Sequence, residues 1–125
     1  MRHVKLGLLS FALAAGWTAA HAQDVPVPPE EIKSKFVGKK LFSRSMTNGA
    51  LADFVMHADG TATVSASPNF NDTGKWWLND TGYCTKWTRM RQGQEACFRI
   101  VRRGSELLIL DSDGKVSSQI LRTVD

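Results

Sequence analysis

The chain is 125 residues long, 42% hydrophobic and 22% charged, with a formal net charge of +4. A chain of this size holds one hydrophobic core and not two, which excludes a multidomain enzyme and leaves a small domain whose stability gains from a covalent staple. The charge is modest, and part of it sits in a segment that export removes.

Arg2, His3 and Lys5 precede an apolar run from Leu6 to Trp17, and the stretch closes on Ala20-His21-Ala22. This is the pattern of a secretory signal over residues 1–22 with an A-x-A cleavage site. The run is about a dozen residues, against the roughly 20 that a spanning helix needs, which argues against an uncleaved anchor. No cysteine stands near the cleavage site to carry a lipid. Cleavage before Gln23 takes Arg2 and Lys5 from the 16 basic residues and nothing from the 12 acidic ones. The mature chain is then only mildly basic, and nucleic acid is not an expected partner. Export to the periplasm or beyond places Cys84 and Cys97 where they can pair. Closing a loop of about a dozen residues contributes on the order of 3 kcal/mol in the chain-entropy model. A redox pair or half a metal site fits less well, because there is no C-x-x-C and His57 is the one histidine left after cleavage.

Residues 23–36 are expected to form an extended leader and a short helix. Gln23 to Pro29 holds three of the four prolines and little to bury. Pro28-Pro29-Glu30-Glu31 reads as a helix start, Ile32 and Phe36 give the helix one apolar edge, and Gly38 ends it. Over residues 37–125 the period changes to two. Strands are predicted over 39–46, 51–58, 61–67, 75–79, 83–88, 96–102, 106–111 and 116–122. Asn48-Gly49, Asp59-Gly60, a long Pro68 to Gly74 loop, Asp80-Thr81-Gly82, Gln92-Gly93, Arg103-Gly104 and Asp113-Gly114 separate them. No connection is long enough for a helical crossover, so the expected fold is all-β: a small antiparallel up-and-down meander. Joining the eighth strand to the first gives a closed or half-open barrel without free edges. Tyr83, Thr85 and Trp87 share one face with Ala96, Phe98 and Ile100, expected to point inward, and Cys84, Lys86, Cys97 and Arg99 share the other.

Phe36-Val37-Gly38-Lys39-Lys40, Ala58-Asp59-Gly60-Thr61, Gly74-Lys75-Trp76, Tyr83-Cys84-Thr85-Lys86-Trp87, Cys97-Phe98-Arg99-Ile100 and Asp111-Ser112-Asp113-Gly114 follow one another at hairpin spacing. In these motifs the chain resembles a group of small secreted proteobacterial proteins of uncharacterised function, lipocalin-like β proteins with a DGT hairpin, a G-x-W strand and two cysteines on the following strands. The resemblance spans about residues 36–123. It implies an architecture and no activity.

Catalytic chemistry finds little to work with. His57 lacks an evident nucleophile, and Asp111 and Asp113 flank a serine in a turn, where acids serve turn hydrogen bonds more often than acid–base work or calcium. No metal or cofactor is expected. The sequons Asn71-Asp72-Thr73 and Asn79-Asp80-Thr81 matter only in a glycosylating host. Trp76, Trp77, Tyr83, Trp87 and Phe98 are either core filling or a ligand-lining group, with one of the adjacent tryptophans turned outward. Lys86, Arg89, Arg91, Arg99, Arg102 and Arg103 form a candidate basic patch. Trp77, Lys86, Arg99, Tyr83 and Trp87 are accordingly the candidate contact residues of a non-enzymatic binding or interaction module of the envelope. Its partner is expected to be a protein, a glycan or a small apolar ligand. The alternatives are a lipocalin-type small-ligand carrier and an envelope enzyme or enzyme inhibitor.

Overall fold

The computed structural model describes residues 23–125; the signal segment and its cleavage site lie outside the described residues. In chain order the elements are β1 (Asp24–Pro26), α1 (Pro29–Lys35), β2 (Lys40–Ser45), β3 (Leu51–Met56), β4 (Thr61–Ala66), β5 (Phe70–Leu78), β6 (Tyr83–Trp87), a 3-10 turn (Met90–Gly93), β7 (Glu95–Arg103), β8 (Glu106–Leu110) and β9 (Val116–Val124). From β2 to β9 each strand runs antiparallel to the one before it, and β9 returns to pair with β2 from Lys40↔Val124 to Ser45↔Ser118. The result is a closed barrel of eight strands, as the alternation of short apolar runs and Gly-containing turns predicts.

Strand alternation places Leu41, Phe54, Met56, Tyr83, Trp87 and Phe98 in one interior cluster with Ile100, Ile109 and Ile120. Their odd-numbered or even-numbered neighbours face outward. On the outer side of β7, β8 and β9, Val101, Leu108 and Leu110 form a second apolar cluster with Val116.

Two expectations are corrected. The leader does have something to bury: Asp24–Pro26 forms β1 against Val101–Arg103 of β7, Val27 follows with no exposed surface, and its N–H donates to the Ile100 carbonyl at 2.9 Å. β6 pairs only with residues 95–98 of β7, which leaves the far half of that strand edge for β1 to occupy. The second correction concerns the stretch from Pro68 to Gly74, most of which is strand and not loop. β5 begins at Phe70 and pairs in continuous register with β4, from Phe70↔Ala66 to Lys75↔Thr61. Its Asn-Asp-Thr-Gly residues are typical of turns, but here Asp72 and Gly74 answer tertiary demands described below.

α1 starts at the prolines, with Glu30 and Glu31 in its first turn and Lys33 and Lys35 in its last, and it buries Ile32 fully. With Val27 and Phe36 it packs into the interior cluster beside Leu41, Met56 and Ile100, closing one end of the barrel. Each such buried aliphatic side chain is worth about 1.5–3 kcal/mol. Gly38, at φ +84°, turns the chain into β2, and its N–H donates to the Met56 carbonyl at 2.8 Å. Two forked pairs hold this segment to β7: Arg102 on Glu31 (2.7 and 3.2 Å) and Arg103 on Asp24 (2.7 and 3.0 Å).

The G-x-W stretch has a packing reason. Gly74 lies opposite Trp87 in the β5–β6 register, and a Cβ there would meet the Lys86 carbonyl oxygen at 2.5 Å and Trp87 Cα at 2.9 Å. Two residues on, Trp76 packs against the interior cluster while its Nε1–H donates to the His57 carbonyl at 2.7 Å. Glycine lets β6 close down on β5, and the indole then ties β5 to the end of β3.

Candidate functional site: the open end of the barrel

The five candidate contact residues do not form one site. Trp77, Lys86 and Arg99 lie on the outer face of the wall, whereas Tyr83 and Trp87 belong to the interior cluster. Outside, Trp77 faces Cys84 across β5–β6, and Cys84 faces Cys97 across β6–β7, so the indole and the disulfide form one row across three strands. Lys86 stands beside Lys75 in the next row, and Trp77 is 36% exposed.

The basic patch does not form as expected, because four of its six members are engaged elsewhere. Arg102 and Arg103 hold Glu31 and Asp24, which are 71 and 79 residues away in sequence. The Arg89 guanidinium lies over the Phe70 ring at 5.0 Å and donates to the Asn71 carbonyl. Arg91 turns inward. Lys86 and Arg99 alone among the six are not engaged in this way, and the disulfide row lies between them.

At the end opposite α1 the interior is not filled. A cavity of about 120 Å³ opens there, walled by Phe54, Tyr83, Trp87 and Phe98 and bordered by Met90 and Arg91 of the 3-10 turn. The rings are contiguous: Phe54–Trp87 at 5.8 Å, Phe54–Tyr83 at 5.9 Å and Tyr83–Phe98 stacked at 5.5 Å. Ser43, Thr85, Ser117 and Ser118, with the apolar Ala52, Val64 and Ile109, complete the lining. Thr85 is 2% exposed, and its Oγ1 has no hydrogen-bond partner among the described residues. A buried hydroxyl left so carries a penalty of about 1–3 kcal/mol. Burial pushes the Tyr83 phenol well above its ordinary value, with the nearby Arg91 charge pulling weakly the other way.

Arg91 is exposed as a residue, yet its guanidinium folds back over the Phe98 ring at 4.8 Å and borders the cavity. Partial desolvation lowers its pKa. Arg91 and Gln92 both adopt left-handed backbone, at φ 52° and 56°. For residues other than glycine that conformation costs of order 1–3 kcal/mol each and persists where the surroundings over-determine it.

The surroundings are supplied by Asp72. Its carboxylate accepts from the N–H groups of Arg89 (3.0 Å), Met90 (2.8 Å) and Thr73 (2.9 Å). Burial alone would raise its pKa, but these three donors and the Arg89 charge outweigh it and hold the carboxyl below its ordinary 3.8. Thr88 adds donations from N–H and Oγ1 to the Thr73 carbonyl at 2.9 and 2.8 Å. Asp72 thus fixes the turn that aims Arg91 inward. Sequence reasoning placed Asp72 in a sequon and Arg91 in a surface patch, and it missed Thr85 as a site residue. The one available signal was Thr85 lying between Tyr83 and Trp87 on an inward face.

The other candidates hold turns. His57 Nε2 meets Thr63 Oγ1 at 2.9 Å beside the Asp59-Gly60 hairpin. Asp111 accepts from the N–H groups of Asp113 (2.9 Å) and Lys115 (3.0 Å), and Asn79 accepts from those of Thr81 and Gly82.

No family model, curated protein or solved structure matches this chain. What stands is the architecture: an antiparallel barrel of eight strands with one disulfide.

Proposed function

We propose that this is a non-enzymatic binding module of the cell envelope, periplasmic or secreted, whose ligand site is the open end of the barrel. The observation that carries this reading is the unfilled interior at that end, where Thr85 and the Arg91 guanidinium border a wall of four aromatic rings. The signal-like first 22 residues support the location, and the resemblance to lipocalin-like secreted proteins is in keeping with a barrel that binds at its mouth. The cavity is small. Pockets for drug-sized ligands run to about 300–1,000 Å³, so a carrier of large lipids is disfavoured, and the site suits a compact ligand or one end of a longer one.

The exposed Trp77 beside the disulfide favours a second reading, a protein or glycan contact on the outer wall. Thermal-shift screening of the purified protein against small envelope metabolites separates the two. A cavity ligand at a hundredfold excess over Kd stabilises by about 2.7 kcal/mol, on the order of 10 °C in Tm for a domain of this size. A flat response to every small molecule, together with capture of an envelope partner that Trp77→Ala abolishes, would move the function to the outer wall.

A further inference from the structure

Resting on the reading of the open end as a binding site, the lining itself specifies a ligand class. We propose that the cavity takes a small, flat monocarboxylate carrying a polar substituent: carboxylate on the Arg91 guanidinium, body against Phe54, Tyr83, Trp87 and Phe98, substituent on the Thr85 hydroxyl.

Charge comes first. Among the described residues Arg91 is the one charged side chain lining the cavity, and no carboxylate joins it there. Arg89, Arg102 and Arg103 each sit within ion-pair distance of an acid, whereas Arg91 has no such partner among the described residues. A planar guanidinium without a counter-ion at the rim of a partly desolvated space complements one planar anion, which it can grip through two parallel hydrogen bonds. Shape comes second. About 120 Å³ between aromatic walls is well under the roughly 300–1,000 Å³ of drug-sized sites, enough for a single ring or a short chain and too little for a nucleotide. Third, Thr85 lines the cavity, and its hydroxyl has no partner among the described residues. A hydroxyl or carbonyl on the ligand would satisfy it, and an unsubstituted ring would leave it unpaired.

Calorimetric titration with four probes tests this: 4-hydroxybenzoate, benzoate, 4-hydroxybenzyl alcohol and inorganic phosphate. The expected order is 4-hydroxybenzoate tightest at one site per chain, benzoate weaker, the neutral alcohol at least tenfold weaker, and phosphate without saturable binding. Arg91→Gln should weaken 4-hydroxybenzoate by about tenfold to a hundredfold, the range of a charge-assisted hydrogen bond, and the alcohol by much less. Circular dichroism checks that the variant is folded. Thr85→Val should raise Tm in the free protein and abolish the preference for 4-hydroxybenzoate over benzoate. Both effects in one variant are not what a packing role would give. Equal binding of the alcohol and the carboxylate, or indifference to Arg91→Gln, would overturn the monocarboxylate assignment while leaving the binding site in place. Absence of binding by all four probes would overturn both.

Discussion

Gly74→Ala offers a direct test of how the barrel wall is assembled. The added methyl carbon would stand 2.5 Å from the Lys86 carbonyl oxygen, 2.9 Å from Trp87 Cα and 3.0 Å from Trp87 Cε3. Two of these three atoms are backbone, so no rotamer change of Trp87 relieves the overlap. β6 has to move off β5, and the Gly74↔Trp87 and Lys75↔Lys86 pairings stretch with it. Forcing one methyl into a packed site costs typically 1–3 kcal/mol, and the rigidity of the opposing backbone puts this case at about 3 kcal/mol. With a urea m-value of about 1–3 kcal/mol/M, the unfolding midpoint should fall by at least about 1 M. Gly60→Ala is the control. Gly60 has open space around its missing Cβ but a φ of +89°, so its cost is conformational and leaves Trp87 undisturbed. Urea melts followed by tryptophan fluorescence report stability and, through the native baseline, the setting of Trp87. A midpoint for Gly74→Ala within about 0.3 M of the parent would refute the close approach of the two strands.

Trp76→Ala should cost about 3 kcal/mol, since it removes packing against the interior and the hydrogen bond to the His57 carbonyl, while Trp77→Ala should change the urea midpoint little; equal losses would put both rings inside. Cys97→Ser should cost about 2–5 kcal/mol, and thiol counting on unfolded, unreduced protein should find none, two free thiols being the contrary result. The paired Arg102 and Lys35 lower Glu31 from its ordinary 4.5 to about 2. A depressed carboxylate contributes stability that is fully present above its unfolded value and lost as the pH falls through the folded one. Protease protection of the leader should therefore hold above about pH 4.5 and decay toward pH 2, and Glu31→Gln should weaken that dependence to the part carried by the Asp24–Arg103 pair, whose carboxyl is also held low; identical acid profiles for the two proteins would rule out the Arg102 clamp.

The eight strands of the barrel were legible because most are bounded by local chemistry, above all the Asp59-Gly60, Arg103-Gly104 and Asp113-Gly114 turns, and the inward faces of β6 and β7 followed from alternation. β1 was not legible. Three residues next to prolines carry no period, and what makes them a strand is the edge of β7 that β6 leaves vacant. The start of β5 was hidden for a related reason: Asp72 has the composition of a loop and the job of an anchor for residues 17 and 18 positions later. At the site, Tyr83 and Trp87 were found by alternation. The dispersal of the arginines was not, because sequence adjacency shows neither Glu31 beside Arg102 nor Phe98 beneath Arg91.

The divided pairing of β7 sets how the molecule comes apart. Residues 95–98 grip β6, and residues 99–103 grip β8 on one edge with β1 lying along the other for the last three. A zip whose teeth change partner halfway has no continuous row to run along. Fraying that begins at Arg103 halts where the ladder passes from one neighbour to the other, one residue beyond the Cys84–Cys97 crossbar. The two halves of a single strand therefore keep separate clocks in amide exchange. Protection of 99–103 ends with the departure of the N-terminal segment and β8, and protection of 95–98 lasts to global unfolding, whose free energy the Cys84–Cys97 crossbar raises.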